Sequence, residues 1–320
     1  PTPFRSRAGW LITTRQVFGH PTVEALADAA VSADVVGQAH TEQHTPLALT
    51  PIQASFFELR PDAPAHWNQS VLLRTPDGDR DVDRLERALL AVVARHDALR
   101  LRFARTETGE WFQQVAPSED GRILESVDLQ ESGENWKAHL RAHGERLQAS
   151  LNLGSGPVIR AGWFRLPDGS GRLLLAIHHL SVDGVSWRIL LGDLQEALEQ
   201  TGSAITLPPA VLPWSAWVDA VRHYGERSEA ADELTWWQTY LANTSPDLPV
   251  DLAVARPAAS SQTLRWQADE DLTRRLIEAA PRAYHMGVED VLLAALGQVL
   301  GEWSQQNRGL VDLEGHGRED

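Results

Sequence analysis

The segment that most constrains the fold is GRLLLAIHHLSVDGVSWRILLGDLQEALEQTG, residues 171–202. Its apolar run from Leu173 to Ile177 predicts a buried strand, and Asp183-Gly184 predicts a tight turn. The apolar spacing after the turn predicts a helix that ends at Gly202. Functional side chains are common at such a junction, because the scaffold holds the loop in a fixed position.

The flanking segments predict a mixed α/β fold. Residues 82–100 have the spacing of an amphipathic helix. Strand-like segments at 99–103 and 111–115, a helix at 134–150 and a last helix at 288–302 complete the pattern. We therefore expect an α/β chain with α+β two-layer packing. The apolar face of the first helix carries Leu85, Leu89, Val92, Val93 and His96.

Composition shifts predict the domain organisation. Residues 31–46 are polar or small with no period, which is typical of a linker, and the proline-rich stretch 205–213 indicates a change of lobe. We therefore expect a small segment at 1–30, a linker at 31–46, one lobe at 47–207 and a second at 208–320. We also expect both ends, Pro1 and Asp320, to be cuts in a longer polypeptide.

Charge and composition exclude several classes of function. Lys and Arg total 29 against 44 Asp and Glu, and the net charge of -15 repels nucleic acid and anionic membranes. The chain has no cysteine, which rules out disulfides and thiolate chemistry and agrees with a cytoplasmic setting. The apolar runs are far shorter than the roughly 20 residues of a spanning helix. We expect neither a nucleic-acid partner nor a membrane span.

His178 and His179 are the first candidates for chemistry. Alternate residues of a strand point to opposite faces, so only one of these rings can face a given cavity. A histidine can exchange a proton near neutral pH, which makes one ring a candidate base and the other a core residue. Asp183 or Ser186 can cap the next helix, whose positive end would then steady an oxyanion or enolate. The alternative is a cap and a turn without chemistry.

Asp312, Glu314 and His316 form a second candidate cluster in VDLEGHGRED. If this segment is a strand, alternation places both carboxylates on one face. Two nearby carboxylates raise the proton affinity of one of them, which makes Glu314 a candidate base. A solvated edge that carries two acids is the alternative.

Metal and serine chemistry find little support in the residue pattern. His178, Asp183 and Glu314 are metal-ligand types, but the HHxxxD spacing lacks the two same-face histidines of HExxH. Ser181 and Ser186 lack the GxSxG context of a nucleophile elbow. We expect neither a metal site nor an acyl-serine intermediate.

Four motifs resemble those of the condensation and epimerization superfamily of non-ribosomal peptide synthetases. HHLSVDGVSW resembles the HHxxxDGxSW signature, and the segment DVLLAALG at 290–297 resembles DxLLxAxG. Residues 51–56, PIQASF, resemble the PIQxWF opening motif, with Ser55 in place of its Trp. EGHGRE at 314–319 is identical to a motif that is typical of epimerization domains rather than ordinary condensation domains. The residues HWNQ at 66–69 are also similar to epimerization sequences, and the resemblance covers residues 47–320.

The resemblance implies a chloramphenicol-acetyltransferase-like fold of two lobes in a V, with a tunnel between them and an incomplete C-terminal lobe. It implies that His179 from one lobe and Glu314 from the other invert an aminoacyl α-carbon from L to D. It also implies that Asp183 holds the loop through a buried ion pair with an arginine. The supporting residues that it implies are His178, Asp183, Gly184, Ser186, Trp187, His316 and Arg318.

The expected partners follow from the same resemblance. Residues 1–30 resemble the C-terminal remnant of a peptidyl carrier protein, without the serine segment that carries phosphopantetheine. The resemblance implies that a partner carrier protein supplies the phosphopantetheine arm and the thioester, and that the domain binds no cofactor directly. Neighbouring synthetase domains are the other expected partners.

Two alternative functions remain open. A condensation domain is an acyltransferase in which His179 assists the attack of an amine on a thioester, and EGHGRE argues against it. A catalytically silent carrier-docking module would bind the carrier protein without chemistry. Peptide-bond formation marks the first, exchange at Cα marks an epimerase, and a docking module shows neither.

Overall fold

The chain forms two compact units, Pro1–Gly225 and Glu226–Gly315. The computed structural model describes residues 4–5, 10–12, 31–32, 45–59, 63–117, 121–202, 204–210, 212–242, 248–249, 264–313 and 315.

Three short strands near the N-terminus pair in a small antiparallel sheet. They are β1 (Phe4–Arg5), β2 (Trp10–Ile12) and β3 (Val31–Ser32). The predicted linker at 31–46 therefore begins with two residues that pair with β2. Residues 13–30 lie outside the described residues, so the carrier remnant expected at 1–30 stays a prediction.

A four-stranded sheet forms the centre of the first unit. Its strand order is β4-β9-β8-β7, in which β9 pairs antiparallel with β4 and β8, whereas β7 pairs parallel with β8. A separate hairpin joins β5 and β6. The strands are β4 (Asn68–Thr75), β5 (Leu101–Arg105), β6 (Trp111–Val115), β7 (Leu124–Asp128), β8 (Ile159–Arg165) and β9 (Gly171–His178).

Helices cover both faces of this sheet. The helices of the first unit are α1 (Pro51–Glu58), α2 (Val82–Arg95), α3 (Trp136–Ala149), α4 (Ser186–Glu199) and α5 (Trp214–Gly225). Leu89 of α2 and Leu190 of α4 share a hydrophobic cluster with Ile177 of β9. Leu147 of α3 packs with Leu174, which points to the other face of β9. Burial on both faces explains why β8 and β9 are almost continuously apolar.

The secondary structure matches much of the sequence-based prediction. The helix predicted at 82–100 is α2, which ends at Arg95 and is followed by a tighter helical turn at Asp97–Arg100. The strand, turn and helix predicted over 171–202 are β9, residues 179–185 and α4. The α/β fold class is therefore confirmed.

The first unit extends beyond the lobe boundary predicted at residue 207. Trp214, the first residue of α5, donates through its indole Nε1 to Gln113 Oε1 at 2.9 Å. Its backbone N–H donates to Asp97 Oδ2 at 3.0 Å. These hydrogen bonds and the buried Val218 attach α5 to the first unit.

The described part of the second unit is helical. It contains α6 (Ser228–Leu241), α7 (Glu270–Arg274), α8 (Ala280–Tyr284) and α9 (Val288–Ser304), and a π-helical turn joins α7 to α8. The helix predicted at 288–302 is therefore confirmed. The strand-like segment that follows it, residues 309–320, is not a strand over residues 309–313, which have no regular structure. A strand needs a hydrogen-bonded neighbour, and the described residues of this unit provide none.

A buried carboxylate joins α2 to the edge of the main sheet. Glu86 is 8% exposed, and its two oxygens accept hydrogen bonds from the backbone N–H groups of Ile123 and Leu124, each at 2.9 Å. These donors lie where the chain enters β7, and a buried N–H without a partner is costly. Glu86 therefore fixes the start of the edge strand.

We predict that Glu86→Ala lowers the free energy of unfolding by about 2–4 kcal/mol, because it leaves two buried N–H groups without acceptors. Urea unfolding measures the change. Glu196→Ala is the matched control, since Glu196 is an exposed glutamate on α4. That control should change stability by no more than about 0.5 kcal/mol. Equal effects of the two substitutions would show that the Glu86 hydrogen bonds contribute nothing.

Candidate active site

The register of β4 against β9 positions both histidines. Asn68 pairs with His178 and Gln69 with Ile177. The pairing continues one step further, because the backbone N–H of His179 donates to Trp67 O at 2.8 Å. Successive side chains therefore point to opposite faces, as the sequence analysis expected for these two histidines.

His178 is a fully buried residue with both ring nitrogens engaged. Its Nδ1 accepts a hydrogen bond from the backbone N–H of Leu180 at 3.1 Å, which places the ring proton on Nε2. Nε2 then donates to Pro64 O at 2.7 Å, and the ring edge contacts Phe56. Burial lowers the pKa of His178, so this ring is neutral at pH 7 and ties β9 to residue 64.

His179 lies in a different environment, half-buried at the end of β9. Its Nδ1 lies 2.9 Å from Val182 O. A carbonyl oxygen can only accept, so Nδ1 carries a proton. Nε2 lies 3.1 Å from the side-chain amide nitrogen of Gln69, which can only donate, so Nε2 accepts through its lone pair. This is the tautomer that a general base needs at Nε2.

The loop after His179 is closed by Asp183. Its Oδ1 accepts from the backbone N–H of Ser186 at 2.7 Å and from the Ser186 hydroxyl at 2.6 Å. Asp183 thus provides the expected hydrogen bond to the first turn of α4, where the N–H groups lack helical partners. Gly184 is exposed, and a Cβ there would meet no atom within 4 Å. The arginine partner expected for Asp183 stays a prediction.

Trp187 packs into the core from the first turn of α4 and is 9% exposed. Its indole N–H donates to Gln69 Oε1 at 2.9 Å. The structure therefore brings together His179, Asp183, Ser186 and Trp187 around the turn that the sequence singled out.

Of the second predicted cluster, Asp312, Glu314 and His316, the structure describes only Asp312. Asp312 is exposed in an irregular segment, and Glu314, His316 and Arg318 lie outside the described residues. The roles of these last three therefore stay predictions.

Gln69 is the site residue that sequence reasoning missed as a candidate. It shares the inner face of β4 with Val71 and Leu73, both of which pack against the main hydrophobic cluster. A polar side chain at the end of an apolar face was the available signal. This signal becomes visible only when residues 68–75 are assigned to a strand.

The described residues contain neither a candidate metal cluster nor a candidate membrane-spanning helix. No group of three His, Cys, Asp or Glu residues there could hold a metal ion. None of the described helices combines the length and apolarity that crossing a bilayer requires.

Solved structures share this fold. The epimerization domain from the third module of tyrocidine synthetase B is 34% identical, with a TM-score of 0.76 over 88% of this chain and 63% of that chain. The first condensation domain of the calcium-dependent antibiotic synthetase is 20% identical, with a TM-score of 0.63 over 82% of this chain and 61% of that chain. The chain thus has the chloramphenicol-acetyltransferase-like fold of condensation and epimerization domains.

A family model described as "Condensation domain" matches residues 43–320. The chain therefore belongs to the condensation-domain family of non-ribosomal peptide synthetases. A curated relative, tyrocidine synthase 2 of Brevibacillus parabrevis, is 34% identical over 321 residues. That match covers 98% of this chain, which spans 9% of the length of the relative.

We predict that acidification destabilises the first unit through His178. Because burial lowers the folded-state pKa of His178 below its ordinary 6.5, the unfolded chain binds this proton first. The stability from neutral His178 is complete above about pH 6.5 and is lost as the pH falls toward the folded-state pKa. Urea unfolding between pH 7 and about pH 5 should therefore show a steeper loss in the wild type than in His178→Asn.

The matched control for this prediction is His223→Asn, which removes an exposed histidine on α5. This variant should follow the wild-type dependence of stability on pH. If His178→Asn also follows the wild-type slope, the proton on His178 is not linked to folding.

Proposed function

We propose that this chain is an epimerization domain, which inverts the α-carbon of an aminoacyl or peptidyl thioester from L to D. The substrate is tethered to the phosphopantetheine arm of a peptidyl carrier protein. The observation that carries the proposal is the arrangement at His179, where Nδ1–H is directed at Val182 O and Nε2 has the lone pair. EGHGRE at 314–319 and the likeness to a tyrocidine synthetase epimerization domain support it.

The chemistry requires two groups that exchange protons on opposite faces of Cα. The thioester makes the α-hydrogen acidic, because the electron pair of the broken C–H bond moves onto the carbonyl oxygen as an enolate. In the proposed reaction His179 Nε2 and the Glu314 carboxyl group flank Cα. One removes the α-proton and the other returns a proton to the opposite face, in either order.

The loop after His179 contributes to the same reaction. The backbone N–H groups at the start of α4 near Gly184 present the positive end of the helix. In our proposal this end, or the His179 N–H, stabilises the enolate oxygen. Asp183 keeps the turn closed through Ser186, so the helix start and His179 stay in one arrangement.

The partners follow from the substrate. A peptidyl carrier protein supplies the thioester and the phosphopantetheine arm, and neighbouring synthetase domains deliver and accept the carrier. The proposed reaction exchanges only protons, so it needs no redox cofactor.

Condensation is the second candidate function. The family model and the shared fold favour it, and His179 at the same position would then assist attack by an amine. A condensing enzyme joins two carrier-bound groups and releases one thiol, whereas an epimerase exchanges the α-proton of one substrate. The products of the two reactions therefore separate the alternatives.

We predict that the full-length protein, incubated in D₂O with aminoacyl carrier protein, incorporates deuterium at Cα. Mass spectrometry of the released aminoacyl group measures the incorporation. His179→Ala and Glu314→Gln should each lower its rate by about 10² to 10⁴, the usual contribution of a positioned acid or base.

Glu278→Gln is the matched control, because it neutralises an exposed glutamate of the second unit outside the candidate site. This variant should exchange like the wild type. A folded wild type that binds the carrier but incorporates no deuterium would contradict the proposal. Peptide-bond formation in that sample would then favour condensation, and its absence would favour docking alone.

A further inference from the structure

The strand register brings Gln69 to His179. Gln69 lies opposite Ile177, and His179 follows two residues later on the same face. Such diagonal neighbours are about 7–8 Å apart between antiparallel strands, which a long side chain can span. The Gln69 amide spans this gap and lies between the His179 ring and the Trp187 indole.

Hydrogen-bond chemistry fixes which way the Gln69 amide faces. The indole Nε1–H of Trp187 can only donate, so the group opposite it must be the amide oxygen. The amide NH₂ is then the group that faces His179 Nε2, and an amide nitrogen can only donate. His179 Nε2 must therefore accept, which agrees with the proton assigned to Nδ1 by Val182 O.

We propose that Gln69, oriented by Trp187, is a positioning residue that holds the His179 ring and keeps its Nε2 unprotonated. The proposal rests on the proposed function and takes His179 Nε2 as the group that removes the α-proton in the L-to-D direction, with Glu314 returning a proton to the opposite face. A protonated Nε2 would face the NH₂ group donor against donor. If the amide rotated so that its oxygen accepted a hydrogen bond from the protonated Nε2, its NH₂ would face the Trp187 N–H instead. In either orientation of the amide, two donors therefore face each other whenever Nε2 is protonated.

Other ionisable groups near His179 do not change between the variants that test this proposal. His178 and Asp183 lie on the same segment, His66 lies just before β4, and Arg188 lies in the first turn of α4. The His178 ring is hydrogen-bonded to Pro64 O, and the Asp183 carboxylate accepts hydrogen bonds from Ser186. A substitution that changes only the amide of Gln69 therefore isolates its effect.

Gln69→Glu is the informative variant, because it preserves the shape and leaves an oxygen to accept from Trp187. The carboxylate would accept a hydrogen bond from a protonated Nε2 and so stabilise the charged imidazolium. We expect the acid limb of the pH profile for deuterium incorporation to move upward by about one to three pH units. Activity lost at neutral pH should return at higher pH, which a merely structural defect would not produce.

Nitrogen-15 NMR of the histidine-labelled chain gives a readout that does not depend on activity. The His179 signals, assigned by their loss in His179→Gln, should show a proton on Nδ1 and none on Nε2 in the wild type at neutral pH. In Gln69→Glu at the same pH both nitrogens should carry protons. If the wild type shows a proton on Nε2, the proposal is wrong whatever the reaction.

Two further variants test the orientation of the amide. Trp187→Phe removes the indole N–H, so the amide can turn and accept from a protonated Nε2. Its acid limb should also move upward, by less than in Gln69→Glu. Gln148→Glu is the matched control, because Gln148 donates to Ser70 of β4 rather than to His179. It adds the same charge near the same strand and should leave the pH profile unchanged.

The outcomes separate the two proposals. If the wild type incorporates no deuterium but the NMR signals change as expected, the epimerase proposal fails and the role of Gln69 at His179 stands. If the wild type exchanges deuterium and Gln69→Glu has the wild-type pH profile and the wild-type tautomer, the role of Gln69 is overturned and the epimerase proposal stands.

Discussion

The antiparallel pairing of β4 with β9 is the constraint on which the site depends. This register puts His178 opposite Asn68 and continues through the bond from His179 N–H to Trp67 O. A slip by one residue would exchange the faces of the two histidines and place His178 toward Gln69. Such a slip would also exchange the apolar residues of β9 between its two buried faces, so both clusters would have to repack around side chains of a different shape. The packing of the core and the geometry of the site therefore select the same register.

That register gives two adjacent histidines opposite chemical roles. His178 accepts from a backbone N–H and donates to a backbone carbonyl, so these hydrogen bonds hold the ring in place while burial lowers its pKa and keeps it neutral. His179 donates through Nδ1 to Val182 O and presents Nε2 to a side chain. The first ring holds the end of the strand, and this rigidity orients the second. A substitution of His178 would therefore disturb the site without removing a reacting group.

The sequence predicts the elements of the first unit better than the contacts of the site. The strand, turn and amphipathic helix of residues 171–202 follow from local periodicity, and the hydrogen bonds between Asp183 and Ser186 follow from their spacing of three residues. Gln69 and Glu86 are different, because each acts on a segment far along the chain, and sequence spacing carries no signal for such pairs. Residues 309–313 show the opposite error. Alternation indicated a strand there, but a strand forms only where a neighbour supplies hydrogen bonds.

Two of the groups that contact the His179 ring are neutral, and they determine which ring nitrogen carries a proton. In a Ser-His-Asp triad a carboxylate at the imidazole N–H stabilises the imidazolium that forms during the reaction. Here Nδ1–H meets a backbone carbonyl and Nε2 meets an amide donor, so neither of these two contacts stabilises a captured proton in that way. The amide of Gln69 thus sets the tautomer of His179 for either reaction, and the products of the reaction distinguish epimerization from condensation.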